Sequence, residues 1–121
     1  MMSKYIKMQI GEVVDRYSIL LLKSERTDLN VVDEIEHYKS CVDSYEDSEF
    51  WVEKLKQINS RIWDLESDIR KGKEKLLGLK EVGRRALLIR NINNERVACK
   101  NEITELYKEG YAETKKDHAS E

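Results

Sequence analysis

The sequence predicts an all-α fold: an antiparallel helical bundle of about four helices with one long C-terminal helix. Proline is absent and glycine occurs only five times in 121 residues, so few positions interrupt a helix. Charged residues (38%) and hydrophobic residues (40%) are mixed in the proportions of long helices and coiled coils. Apolar positions return every three or four residues through each long stretch, as one face of a helix requires. The length suits one domain with a modest core. Residues 1–121 are therefore read as a single helical unit, with an N-terminal arm at 1–9 and an irregular or extended tail at 110–121.

Residues 3–9, SKYIKMQ, alternate loosely and fit an extended arm. A first helix is expected from Ile10 to about Arg26. Glu12 follows Gln9 at capping-box spacing, although glutamine is a poor cap. Val13, Val14, Tyr17, Leu20 and Leu21 form one stripe, while Ile19 and Leu22 lie on the other side. A helix that is apolar nearly all round belongs at the centre of a fold. Its charged residues Asp15, Arg16 and Lys23 must then be partly buried and need partners.

Asn30 reads as the cap of a second helix, with Asp33 in its first turn. Val32, Ile35, Tyr38, Cys41 and Val42 give it an apolar side, and His37 is expected in solvent among charged neighbours. Asp47 or Ser48 should start the third helix. There Trp51, Leu55, Ile58, Ile62, Leu65 and Ile69 make a heptad-like stripe over five turns, with Trp63 beside it. Asn59 and Glu66 share its shoulder. Gly72 and Gly78 bracket a loop, and a fourth helix runs on to about Glu109, with Gly110 placed to end it.

The fourth helix carries a polar seam. Val82, Ala86, Ile89, Ile92, Cys99, Ile103 and Leu106 recur at helical spacing, but Asn93, Arg96 and Lys100 project onto the same face. Arg85 joins them, with Arg84 and Arg90 on the flanks. Such a helix asks for counter-charges elsewhere, and Glu12, Asp15 and Glu66 are the candidates. A network of ion pairs that fixes which helix faces which explains the seam. So does an anionic ligand, since arginine's planar fork suits phosphate or carboxylate.

Other chemistries find little footing. The net charge of −2, with both signs interleaved, does not favour nucleic acid; Arg70, Lys71, Lys73 and Lys75 form the nearest thing to a basic patch. Cys41 and Cys99 lie in no metal-ligand spacing and read as free thiols of a reducing compartment. No signal-peptide pattern and no long apolar run is present, so a cytoplasmic protein without membrane contact is expected. Glu12-x-x-Asp15, Asp33-x-x-Glu36 and Glu102-x-x-Glu105 have the spacing with which all-α nucleotide pyrophosphohydrolases hold Mg²⁺. Chance supplies such spacings in a chain with 24 acidic residues, so no metal is assigned and no cofactor can be named. Lys115, Lys116, Asp117 and His118 could fold back to close a site, although fraying is the ordinary fate of a terminus.

Together the motifs carry a resemblance. IGEVVDRYSILLLKSER is similar to the opening of a family of small helical proteins of bacteria and phages, Ile-Gly-Glu-Leu-x-Asp-Lys/Arg-x-x-Ile-Leu-x-x-Lys. The likeness continues through Asn59, Trp63, Glu66 and Arg70, then Asn93, Arg96 and Lys100, and on to a Glu-x-Lys-x-x-His-like tail at Glu113 to His118. The second helix and the glycine loop match little, and Gln9 departs from the family's better cap. The family has no established activity, and its genes often neighbour sugar-modifying ones. The resemblance therefore implies a sugar-phosphate or nucleotide-linked partner. It also singles out Asp15, Lys23, Asn59, Glu66, Arg70, Asn93, Arg96, Lys100 and His118 as ligand-binding candidates. The reading that fits best is a non-enzymatic helical module, a homodimer or partner of another protein, whose seam is structural or binds a small anion. The alternative is an enzyme on a phosphorylated sugar or nucleotide, with Asp15 or Glu66 as base or metal ligand.

Overall fold

The computed structural model describes the backbone of residues 5–107 and 112–115 and the side chains of residues 8–107. The order of elements is β1 (Tyr5–Met8), α1 (Ile10–Arg26), α2 (Val32–Val42), α3 (Ser48–Arg70), α4 (Glu74–Leu77), α5 (Leu79–Tyr107) and β2 (Ala112–Lys115). The fold is all-α. Five helices stand among the described residues rather than four, because the loop expected between Gly72 and Gly78 contains the single turn α4. Both glycines adopt left-handed backbone, φ 76° and 82°, and these bends let one helical turn fit between them.

Helix α1 packs against α2, α3 and α5, and α3 packs along α5. The centrality expected of α1 follows from its composition. Ile10, Val13, Val14, Tyr17, Leu20 and Leu22 are all buried, leaving little of its circumference for water. Contacts fix the directions. Gly11 meets Thr104 and Asp15 meets Arg96, so α1 and α5 run oppositely; Lys54 faces Glu102 and Arg61 faces Glu95, so α3 and α5 also do. The core combines the α1 residues with Tyr38 and Val42 of α2, Leu55 and Ile58 of α3, and Ile92, Cys99 and Ile103 of α5.

The heptad stripe of α3 turns inward against α1 and α5, with Leu55 and Ile58 buried and Ile62 and Leu65 packed beside the core. Several other sequence expectations need correction. On α5, Leu106 is exposed and Ala86 faces solvent, because α1 does not cover both ends of a 29-residue helix. In α2 it is Val31, not Val32, that enters the core, and Asn30 accepts a bond from the Val32 N–H at 3.3 Å without being the cap residue. His37 is half-buried, edge-on to Tyr38 with centroids 5.6 Å apart. Asp47 precedes α3 in left-handed backbone, φ 61°, and its side chain makes no capping bond.

Residues 112–115 take the extended form of the two expected for the tail and pair antiparallel with the arm, Tyr5 opposite Lys115 and Met8 opposite Ala112. The pairing itself leaves no local mark in the sequence, since each strand finds its ladder partner at the far end of the chain. Gly110 and the stretch from Lys116 onward lie outside the described residues. Nearby, the Tyr107 hydroxyl donates to the Glu46 carbonyl at 2.6 Å and its ring meets Tyr45 edge-on, fixing the end of α5 to the α2–α3 connection.

At Gly11 the backbones of α1 and α5 come close together. A Cβ there would lie 2.0 Å from the Lys100 carbonyl oxygen and 2.7 Å from Thr104 Oγ1, while the Gly11 N–H donates to that hydroxyl at 3.0 Å. Glycine is required for the approach, not for its backbone freedom. Gly11→Ala should therefore separate α1 from α5 and cost about 1–3 kcal/mol, the usual scale of overpacking. Urea unfolding would measure it, and an unchanged midpoint would mean that the two helices do not cross this closely.

Candidate functional site

Asp15 sits on α1 one turn beyond Gly11 and is completely buried. Burial of a lone carboxylate is costly, so its oxygens must be paired and hydrogen-bonded. They are. Arg96 of α5 donates through Nε to Oδ1 at 2.9 Å and through Nη2 to Oδ2, a two-pronged clamp. Asn59 of α3 donates through Nδ2 to Oδ1 at 2.9 Å and to Ser18 Oγ at 3.0 Å. The Ser18 hydroxyl in turn donates to the Asp15 carbonyl at 2.7 Å. One carboxylate thus ties three helices together.

One turn toward the ribbon, Lys100 Nζ donates to Glu12 Oε1 at 2.7 Å and lies 3.9 Å from Asp15 Oδ2. Arg16 Nε donates to the other Glu12 oxygen at 3.0 Å. Burial pushes the Glu12 carboxyl up, but the hydrogen bonds and charges of Lys100 and Arg16 outweigh it and leave it below its ordinary value. Glu12 and Asp15 therefore supply the counter-charges that the α5 seam requires. Glu66 does not, because it accepts from Arg70 Nη2 on its own helix at 3.0 Å. Arg85 is met instead by Glu81 and Asp68.

Toward the other end the seam opens into a cleft of about 180 Å³ between α1, α3 and α5. Lys23, Asn59, Glu66, Arg70 and Arg96 line it, over apolar walls from Ile19, Leu22, Ile62 and Trp63. Five of the nine residues singled out in the sequence therefore meet in one place. Asp15 lies beneath, wholly covered; Lys100 belongs to the Glu12 end; exposed Asn93 accepts from Arg96 Nη1 at 3.4 Å. His118 lies outside the described residues.

Trp63 is the lining residue whose importance the sequence understated. The Arg70 guanidinium carbon lies 4.7 Å from a ring centroid and that of Arg26 lies 5.8 Å away, so the indole is flanked by two cations. Arg26 is fixed in turn by Asp64 at 2.9 Å and by Ser60. The signal was present in the spacing, since Asn59, Trp63, Glu66 and Arg70 at intervals of four, three and four share one helix face. Thr104 and Ser18 carried no such signal, because their partners are chosen only by the crossing of helices.

Chemically the site has cations in excess, an aromatic wall and one carboxylate at its lining. Asp15 is enclosed with both oxygens bonded, which leaves it no access to a substrate proton. Among the described residues no three acidic, histidine or cysteine side chains converge as a metal site would need. The Glu12, Asp33 and Glu102 spacings are thus not brought together. Burial pushes the thiols of Cys41 and Cys99 up, so both are held in the poorly nucleophilic thiol form. Comparison with protein-family models, with curated proteins and with solved structures finds no match, so function has to be argued from these residues.

Two measurements probe the seam. Arg96→Met leaves a buried carboxylate with Asn59 and a distant Lys100, and should destabilise by about 3 kcal/mol, the scale of a broken buried pair. An unchanged unfolding midpoint would mean that Asp15 does not depend on Arg96. Because the folded Glu12 carboxyl titrates below 4.5, its contribution is complete above that pH and is lost as pH falls through the lower, folded value. Wild type should consequently lose stability below pH 4.5 more steeply than Glu12→Gln, as read from unfolding midpoints across an acid series.

Proposed function

We propose that this chain is a non-enzymatic binding module, an antiparallel bundle of α1, α2, α3 and α5, whose cleft beside Arg96 receives a small anionic ligand. The observation that carries this reading is the convergence of Lys23, Arg70 and Arg96 on one cleft around a single lining carboxylate, Glu66. Arg70 is half-exposed and stacked on Trp63, so its fork is held at the mouth where an incoming oxyanion would meet it.

Size narrows the ligand. Sites for drug-sized molecules occupy about 300–1,000 Å³, and this cleft of about 180 Å³ suits a phosphate or carboxylate head with a small attached group. The flat face of Trp63 and the walls of Ile19, Leu22 and Ile62 suit an attached group with an apolar side. A sugar phosphate has both parts, and the resemblance noted in the sequence leads to the same class. The buried seam supports the non-enzymatic half of the reading, because its one enclosed acid is consumed in holding the helices. A homodimer belongs to the same reading: Leu87 (55% exposed) and Val97 (46%) stay on the outer surface of α5 after the α3 stripe is used internally.

Thermal unfolding against phosphate, sugar phosphates, nucleotides and Mg²⁺ tests the proposal. A ligand at 100 times its dissociation constant should stabilise by about 2.7 kcal/mol, several degrees for a domain of this size. Arg70→Met should abolish the shift while changing unliganded stability by no more than about 0.5 kcal/mol, because its pair with Glu66 is exposed. Absence of any shift removes the anion site. Turnover of a phosphorylated ligand by wild type would favour an enzyme instead.

A further inference from the structure

The far end of the molecule is built unlike the rest. Beyond Arg70 the chain turns at Gly72, makes the single turn α4, turns again at Gly78 and enters α5. Leu76 is 85% exposed and Leu79 90%, the largest values among the exposed large hydrophobics. They stand on either side of Gly78, at whose Cβ position nothing lies within 4 Å, and the same openness holds at Gly72. Leu77, between them, is half-buried. The tip projects two leucines into open space.

Its charges are mostly of one sign. Lys71, Lys73, Lys75 and Lys80 are all exposed and flank the leucines along the chain, against one exposed carboxylate, Glu74. The nearest other acids are already occupied: Glu81 by Arg84 and Arg85, which hold it down at about 2, and Asp68 by Arg85. The chain as a whole is acidic by two charges, so this end is a local reversal of sign.

We propose that the tip is a peripheral docking point for an anionic lipid surface, with Leu76 and Leu79 entering the headgroup boundary and the four lysines meeting lipid phosphates and carboxylates. Charge complementarity selects this occupant, since each lysine near such a surface contributes independently of its exact position. Shape selects it too. A protein partner would need a pocket matched to the two protruding leucines, whereas a fluid interface opens around protruding side chains. Nucleic acid would use the lysines and leave both leucines in water. Long lysine stems let their ammonium groups stay with the headgroups while the leucines sink deeper. No helix among the described residues is long and apolar enough to cross a membrane, so the contact is a docking and not a span.

Co-sedimentation of the full chain with phosphatidylserine-containing vesicles, and with pure phosphatidylcholine vesicles, tests this. Binding is expected to the first and not the second, and to fall as salt rises. Replacing one lysine, as in Lys73→Gln, should weaken it about fivefold. The double variant Leu76→Ser, Leu79→Ser should weaken it about tenfold or more. Its thermal midpoint should match wild type, since both side chains are already in water. A Leu79→Trp variant should show blue-shifted fluorescence with the anionic vesicles. The proposal is overturned if anionic vesicles fail to bind, if the leucine variant binds as well as wild type, or if a short oligonucleotide displaces the vesicles. The anion cleft does not enter the test, because the leucine variant changes no residue that lines it.

Discussion

The arrangement of helices depends on one buried carboxylate. Asp15 is at zero exposure on a largely buried helix, and it is tolerated there only because Arg96 and Asn59 arrive from two other helices to meet it. A greasy side chain at position 15 could slide along α5 or rotate on α3 at small cost. A carboxylate with a two-pronged partner cannot, since a shift of one residue leaves a charge without its counter-charge in a poorly solvated interior. The pair adds little net stability by itself and chooses the alignment that the apolar stripes then consolidate.

The close crossing at Gly11 works with that constraint. Without a side chain at position 11, the α1 backbone comes against the Lys100 carbonyl and the Thr104 hydroxyl, which draws Glu12 to Lys100 and Asp15 to Arg96. Ile10, Gly11, Glu12 and Asp15 thus act as one recognition element for α5, read in turn as an apolar contact, a gap and two charges. At the opposite end α1 has finished, and α3 and α5 continue together into the hairpin that bears α4. The seam is closed around Asp15 and opens, beside the last turns of α1, into the cleft between the same three helices. The same geometry that buries Asp15 leaves the guanidinium of Arg70 half-exposed at the cleft mouth.

The all-α class was legible from the absence of proline and from helical periodicity. The limits of the first helix, Ile10 to Arg26, were legible from where its apolar pattern begins and stops. So was the need of Arg96 and Lys100 for counter-charges, with Glu12, Asp15 and Glu66 as the candidates, because cations on an apolar stripe have few ways to be satisfied. The β1–β2 pairing was not legible, since strand partners at the two ends of a chain leave no local mark. Nor was the turn at α4, whose residues EKLL are too few to show a period.

The sequence by itself determined which residues are apolar and which are charged along each helix, and that chemistry called for either counter-charges or an anionic ligand to meet the cations of α5. Only the tertiary structure decided how the charges divide: Asp15 to Arg96, Glu12 to Lys100, and Glu66 away from the seam to Arg70. The physical reason is that periodicity specifies direction around one helix axis, whereas pairing depends on the crossing and relative height of two. The space left by Gly11 fixes that height, and it takes both helices to show what fills it.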